Sequence, residues 1–305
     1  MTLKFLLTGA TGGLGAQVLE YFTAHVPSSD YAAASSRAEN ARAFTDRGIN
    51  FRQVNYDDVR TLDESFAGVE NLFFVSTSTF DNVRRRIQHQ NVVDAAKRAG
   101  VKHVWYTSLA FGGFKSDSGA AVQQVHYMTE GMLEESGVVY TSIREGVYTE
   151  AFPLFLNWFP ENKKILLPAD GGVAFTRRSE LGEATAKLIL KGGHENEIVL
   201  LTAQASITFQ EIVQIINETT GRDVQLELVA PETYIEVNGA NDPGKKPAAF
   251  FEKLISWYEG ISKGDASTTD GLMADVLGRE PTPASRAIRD LLHDNPDYTW
   301  HQNYA

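Results

Sequence analysis

Four glycines close to the start of the chain have the spacing of a phosphate-binding turn. They fall within residues 9–15, directly after an apolar run at 3–7, and apolar residues return at helical spacing from Val18 onward. Glycine lets the backbone approach a ligand closely, and the start of the following helix offers unpaired N–H groups and a positive dipole end. A strand, a glycine turn and a helix in succession therefore predict a site for the diphosphate of a dinucleotide. The glycines are Gly9, Gly12, Gly13 and Gly15.

The residues about 20 positions after this turn bear on which dinucleotide it would hold. A site selective for NAD places an acidic residue there, where it binds the ribose of the adenosine. This chain has Ser35, Ser36 and Arg37, and no carboxylate comes before Glu39. An arginine fits a 2′-phosphate, so the sequence favours NADP over NAD. The alternative is that Arg37 is a solvated loop charge.

Several predicted strands end in polar residues. Asn55 follows the third strand, Ser76, Thr77 and Ser78 follow the buried fourth strand, and Ser108 follows the fifth. Five strands alternate with helices over about the first 108 residues, which is the pattern of an α/β fold of the Rossmann type, a doubly wound parallel sheet with helices on both faces. Ligands of such sheets bind beyond the carboxyl ends of the strands, and the glycine turn, Arg37 and these polar residues are all expected at that edge.

The second half of the chain differs in composition from the first. A helix over 121–136 and a sixth strand at 138–144 continue the sheet, and an aromatic, proline-bounded segment begins at about residue 151. We therefore expect an NADP-binding domain at 1–150, which a strand near 198–202 rejoins, and a smaller, mostly helical substrate-binding lobe at 151–305.

Composition narrows the class of protein. The net charge of −11 argues against nucleic acid or an anionic membrane as a general partner, and the absence of cysteine excludes thiolate catalysis and cysteine-type metal sites. No stretch approaches the roughly 18 apolar residues of a membrane helix, and no signal peptide fits the first residues. We expect a cytoplasmic protein that acts on a small molecule and holds no metal.

Longer segments resemble those of the NmrA-like proteins, atypical members of the short-chain dehydrogenase/reductase superfamily. The resemblance rests on residues 8–15, 93–108, 126–130 and 140–150, with shorter matches late in the chain. It is strongest with the subgroup of NADPH-dependent reductases of quinones and triphenylmethane dyes. It implies a Rossmann-type fold, NADP(H) as the cofactor, and further cofactor contacts. These are Ala10, Thr11 and Leu14 in the turn, Arg37 at the 2′-phosphate, Asn55, Ser76, Thr77, Ser78, Gly146, Tyr148 and Arg177.

The acid–base residues depart from those of ordinary short-chain dehydrogenases, in which a Tyr-x-x-x-Lys pair transfers the proton. None of the eleven tyrosines is followed by lysine four residues later, and the corresponding helix carries His126-x-x-x-Glu130. That spacing places both side chains on one helix face, either as a structural pair or with His126 as a proton donor. The candidate catalytic residues are His126, Tyr148 and Ser108.

Without a Tyr/Lys pair, the favoured substrates are those whose reduction needs little help from a protein acid. A quinone-like or conjugated aromatic or carbonyl compound accepts hydride at an electron-poor carbon and delocalises the charge. Candidate wall residues for it are Phe111, Phe152, Phe155 and Trp158. Two other functions fit the sequence: a non-catalytic NADP-sensing regulator that binds protein partners, and an NADP-dependent tailoring enzyme or isomerase of a biosynthetic pathway. A homodimer is possible in each case.

Overall fold

The computed structural model describes residues 2–79 and 81–300, which form strands and helices in alternation. The strands are β1 (Leu3–Leu7), β2 (Tyr31–Ser35), β3 (Asn50–Gln53), β4 (Val69–Phe74), β5 (His103–Leu109), β6 (Tyr140–Glu145), β7 (Lys164–Leu167), β8 (Glu197–Leu201) and β9 (Gln225–Leu228). The helices are α1 (Gly13–His25), α2 (Ala41–Thr45), α3 (Val59–Phe66), α4 (Asn82–Ala99), α5 (Ala121–Ser136), α6 (Phe152–Leu156), α7 (Arg178–Lys191), α8 (Phe209–Thr220), α9 (Pro231–Asn241), α10 (Ala248–Ser262), α11 (Leu272–Leu277) and α12 (Ala284–Asp294).

The main sheet has seven parallel strands in the order β3-β2-β1-β4-β5-β6-β8. The order reverses between β1 and β4, and Leu7 lies opposite Ala33 on one side and Phe73 on the other. This arrangement confirms the predicted doubly wound α/β fold. Strand β8 pairs with β6, so a segment from beyond residue 151 also belongs to this sheet.

Alternate residues of the central strands point into two separate apolar layers. Leu7 belongs to a buried cluster with residues of α1, α7 and α11, whereas Leu6 belongs to a cluster with residues of α3, α4 and α5. Burial on both faces explains why these strands are continuous apolar runs rather than alternating ones. The helices therefore cover both faces and leave the strand ends open.

A third apolar cluster forms the core of the smaller, mostly helical lobe. Here α8 packs against α12, α9 packs against α10, and β7 and β9 form a separate parallel pair. Buried aromatic side chains such as Phe155, Trp158 and Tyr258 fill its centre. No helix among the described residues is long and apolar enough to cross a membrane.

Candidate functional site

A cleft of about 1040 Å³ lies between the carboxyl edge of the sheet and the smaller lobe. It brings together most of the residues singled out from the sequence, although they come from separate strand ends, because parallel strands place those ends at one edge. The predicted residues that line it are Gly9, Thr11, Gly12, Gly13, Leu14, Gly15, Arg37, Asn55, Ser76, Thr77, Ser78, Ser108, Phe111, His126, Gly146, Tyr148 and Phe155.

Four predicted site residues do not line the cleft. Phe152 and Trp158 are buried in the core of the smaller lobe, so they support the wall without forming it. Arg177 donates to Asp290 at 2.6 Å on α12, away from the cleft. Ala10 lies in the glycine turn, but its methyl group is buried and its N–H donates to Ala34 O at 3.2 Å. The structure therefore places these four residues outside the lining of the cleft.

The glycine turn is shaped for close approach. Gly9 has φ +64°, and a Cβ there would lie 2.8 Å from Val75 Cβ. A Cβ at Gly15 would overlap the carbonyl oxygen of Gly9, so the turn and the first turn of α1 fit together only with glycine at both places. Helix α1 has no side-chain cap at Gly12 and no acidic residue in its first turn. Its N-terminal N–H groups are therefore available to an anion.

Polar groups surround the other end of the cleft, near β2 and β3. Arg37 is exposed there, and its backbone N–H donates to Ser35 Oγ at 3.4 Å. The side-chain oxygen of Asn55 accepts from the N–H of Asp57 at 3.0 Å, so it shapes the turn after β3. Hydrogen bonds from Arg84 hold the pKa of the Asp57 carboxyl below its usual value. This end therefore combines an exposed guanidinium with a fixed polar turn.

His126 is almost completely buried, and its Nδ1 lies 2.9 Å from the hydroxyl of Tyr106 on β5. Burial, with a contribution from the charge of Arg85, lowers the pKa of His126 well below its ordinary value. Burial raises the pKa of Tyr106 to about 12, so the phenol keeps its proton at neutral pH. At neutral pH the cleft therefore contains an uncharged imidazole beside a protonated phenol.

The predicted structural pair between His126 and Glu130 does not form. Glu130 instead accepts from Arg144 at 2.7 and 3.0 Å, from Ser142 at 2.7 Å and from Ser108 at 2.8 Å. The side chain of Arg144 is completely buried and is the ionic partner of Glu130. Ser108 lines the cleft as predicted, but its hydroxyl proton is directed to Glu130. One helix face supplies both residues, and the strands beneath it give each a different partner.

Glu145 is a buried carboxyl at the end of β6, on the wall of the cleft. Its Oε2 lies 3.5 Å from the hydroxyl of Tyr148, and its Oε1 lies 3.4 Å from Thr185 Oγ1. Burial raises the pKa of Glu145 to about 8, and the two hydroxyls only partly offset this effect. Burial also raises the pKa of Tyr148 well above its ordinary value. Both groups are therefore neutral at pH 7.

The model of the NmrA-like family matches residues 1–272, which is most of the chain. The chain belongs to the NmrA-like family.

This NmrA-like protein is similar along nearly its whole length to proteins with named activities. It is 53% identical over 305 residues to the NmrA-like family domain-containing oxidoreductase flvB of Aspergillus flavus, covering 99% of both chains. It superimposes on the Citrobacter sp. triphenylmethane reductase complexed with NADP(H) with a TM-score of 0.82 and 33% identity, covering 94% of this chain and 99% of the other. For the NADPH-dependent quinone oxidoreductase QOR2 of Escherichia coli complexed with NADPH, the TM-score is 0.83 and the identity 29%, with the same coverage.

Some residues that line the cleft of the NmrA-like protein were not predicted from the sequence. Arg178 lines the cleft next to the predicted Arg177, and residues 298–300 line it from the far end of the described chain. The arginine pair gave a signal for the first, but its register at the start of α7 decides which of the two faces the cleft. The aromatic residues Tyr298 and Trp300 were a signal for the second, although nothing in the sequence places the end of the chain beside the glycine turn.

Proposed function

We propose that this NmrA-like protein is an NADPH-dependent oxidoreductase that transfers hydride to a quinone-like or conjugated aromatic or carbonyl acceptor. The observation that carries the proposal is that one cleft joins a glycine turn at a helix N-terminus to an apolar, aromatic wall. The activities for which the similar proteins are named support it: an oxidoreductase, a triphenylmethane reductase and an NADPH-dependent quinone oxidoreductase.

The residues of the cleft fit the phosphate groups of a dinucleotide. The glycine turn leaves the space that a Cβ would fill, and the first N–H groups of α1 have no side-chain cap. In the proposal these groups hold the diphosphate, Arg37 holds the 2′-phosphate, and Asn55 lies at the adenosine end. Ser76, Thr77 and Ser78 line the middle of the cleft, and Gly146 and Tyr148 line it near the nicotinamide. NADPH, when bound, would supply the hydride.

His126 is the proposed hydrogen-bond donor to the substrate that accepts the hydride. We assign the Tyr106 hydroxyl as the donor to His126 Nδ1, since its raised pKa keeps it protonated. The ring proton of the neutral imidazole then resides on Nε2, where it can be donated to an acceptor oxygen. A neutral imidazole is a weak acid but an effective hydrogen-bond donor, which suits an acceptor that spreads its own charge. Tyr106 positions the ring, and Tyr148 is a second hydroxyl close to the same region.

The acceptor class follows from the wall opposite the sheet. Phe111 and Phe155 line this part of the cleft together with Val122, Leu154 and Trp257. Such a surface binds a flat apolar ring system, and it offers no cation–anion contact to a charged sugar or acid. The absence of a Tyr-x-x-x-Lys pair favours an acceptor with an electron-poor carbon over an isolated ketone, because reduction of a simple ketone needs a stronger proton donor.

The test is the oxidation of NADPH, followed by its absorbance, with a panel of quinones, triphenylmethane dyes and simple ketones. Turnover with quinones or dyes and little or none with simple ketones is the expected result. Calorimetric titration of NADPH in the absence of any acceptor provides the control. Tight NADPH binding without turnover on any member of the panel would overturn the reductase and favour a cofactor-sensing regulator.

A further inference from the structure

The guanidinium of Arg178 occupies an unusual position beside the glycine turn. A Cβ added at Gly13 would lie 2.6 Å from Arg178 Nη1, so the side chain rests directly against the start of α1. Its carbon Cζ lies 5.8 Å from the ring centre of Tyr148 and 5.9 Å from that of Trp300. Among the described residues no carboxylate or carbonyl accepts from this guanidinium. The neighbouring Arg177, in contrast, is paired with Asp290.

Trp300 belongs to a segment, residues 295–300, that runs beside the cleft and is here called the C-terminal strap. Arg222 donates to Pro296 O at 2.8 Å and forms an ion pair with Asp297. Trp158 Nε1 donates to Tyr298 O at 3.1 Å, and the Tyr298 hydroxyl donates to Glu150 O at 2.9 Å. Hydrogen bonds thus fasten the strap along the side of the cleft. The strap lies beyond residue 272, where the match to the family model ends.

A guanidinium and a helix N-terminus that point to the same place repel each other unless an anion lies between them. The rings of Tyr148 and Trp300 hold the guanidinium there by cation–π contacts, and neither ring neutralises its charge. The geometry therefore places two positive groups side by side next to the glycine turn. A diphosphate carries the charge and the acceptor oxygens to bind both at once.

We propose that Arg178, held beside Tyr148 and Trp300 with the help of the C-terminal strap, binds the diphosphate bridge of the dinucleotide next to the glycine turn. The inference rests on the proposed function for the presence of the dinucleotide. It adds a contact from α7 and a contribution from the strap, neither of which belongs to the glycine turn. The strap then supports cofactor binding, because Trp300 restricts the side chain of Arg178, which holds the diphosphate.

The experiment compares Arg178→Met with Arg177→Met by calorimetric titration of two ligands, NADPH and adenosine 2′-phosphate. The second ligand keeps the adenosine and its 2′-phosphate but lacks the diphosphate. Arg178→Met is expected to weaken NADPH binding about 10- to 100-fold, as for the loss of a charge-assisted hydrogen bond to phosphate, and to leave adenosine 2′-phosphate binding within about twofold. Arg177→Met is the matched control and is expected to retain both affinities.

Two results would overturn the proposal alone: unchanged NADPH affinity in Arg178→Met, or equal losses for the two ligands. The strap is tested by Trp300→Ala, with an expected loss of NADPH affinity of about 2- to 5-fold that Trp300→Phe restores, since a phenyl ring keeps the cation–π contact. Full affinity in Trp300→Ala would remove the strap from the site. Failure of the unaltered chain to bind NADPH would overturn both this inference and the proposed function, whereas binding without turnover would overturn only the reductase.

Discussion

Replacing Glu145 by glutamine is expected to remove a large pH-dependent loss of folding stability. The carboxyl is buried at the end of β6, and burial raises its pKa from the ordinary value of 4.5 to about 8. In the folded chain it therefore stays protonated up to about pH 8, whereas in the unfolded chain it ionises near pH 4.5. Between these values unfolding releases a proton, so the free energy of unfolding falls as pH rises.

The size of this effect follows from the two pKa values. Each pH unit well inside this window costs about 1.4 kcal/mol. Because the slope is smaller close to each pKa, the loss between pH 5 and pH 8 is about 3.5 kcal/mol. Below the unfolded pKa the full stability is present, and above the folded pKa the loss is complete. Glutamine has nearly the shape of the protonated acid and does not ionise, so Glu145→Gln lacks this slope. The hydroxyls of Tyr148 and Thr185 remain available to its amide.

Urea unfolding of both chains at several pH values between about 5 and 8 measures the difference. The quantity compared is the change across the pH range, so a constant offset between acid and amide cancels. An exposed residue provides the matched control, and Glu252→Gln is expected to follow the unaltered chain. Curves for Glu145→Gln and the unaltered chain that stay parallel within about 0.5 kcal/mol would refute the neutral, buried carboxyl.

Three further predictions follow from the site. Arg37→Ala is expected to lower kcat/KM for NADPH about 10- to 100-fold with little change for NADH, and an unchanged preference would exclude a 2′-phosphate contact. His126→Gln is expected to lower kcat about 100-fold with NADPH affinity kept within twofold, and Tyr106→Phe to lower kcat less, by releasing the ring; full kcat in His126→Gln would exclude its role as donor. Arg144→Met leaves Glu130 buried without its ionic partner and is expected to cost about 3–5 kcal/mol in urea unfolding, with Arg144→Met/Glu130→Gln recovering part of the loss.

The residues that line the glycine-turn end of the cleft could be predicted well from the sequence. A glycine turn between a strand and a helix is a local signal, and polar residues such as Ser76 fall at strand ends that topology must bring together. The structure places the turn, Arg37, Asn55 and residues 76–78 along one cleft. These positions depend on the backbone path alone, which the alternation of strands and helices largely determines.

The residues that line the apolar end of the cleft were harder to predict, because they depend on which side of a short helix faces the cleft. Phe152 and Phe155 both lie in α6, yet only Phe155 reaches the cleft while Phe152 enters the core. A helix of five residues has too few turns for its apolar pattern to show a face. The same difficulty separates Arg177 from Arg178, where a change of one position at the start of α7 exchanges an ion pair with Asp290 for a place in the cleft.

Helix α5 supplies two buried polar residues with different partners. His126 remains at the cleft, whereas Glu130 turns to the sheet and binds Arg144. The guanidinium of Arg144 also donates to Gly113 O and Lys115 O, both at 2.6 Å, and so holds the loop that follows β5. Phe111 of the cleft wall belongs to the same loop, so the Glu130–Arg144 pair supports this part of the wall. In the proposed function, this division leaves His126 to donate a hydrogen bond to the substrate while Glu130 and Arg144 support the aromatic wall.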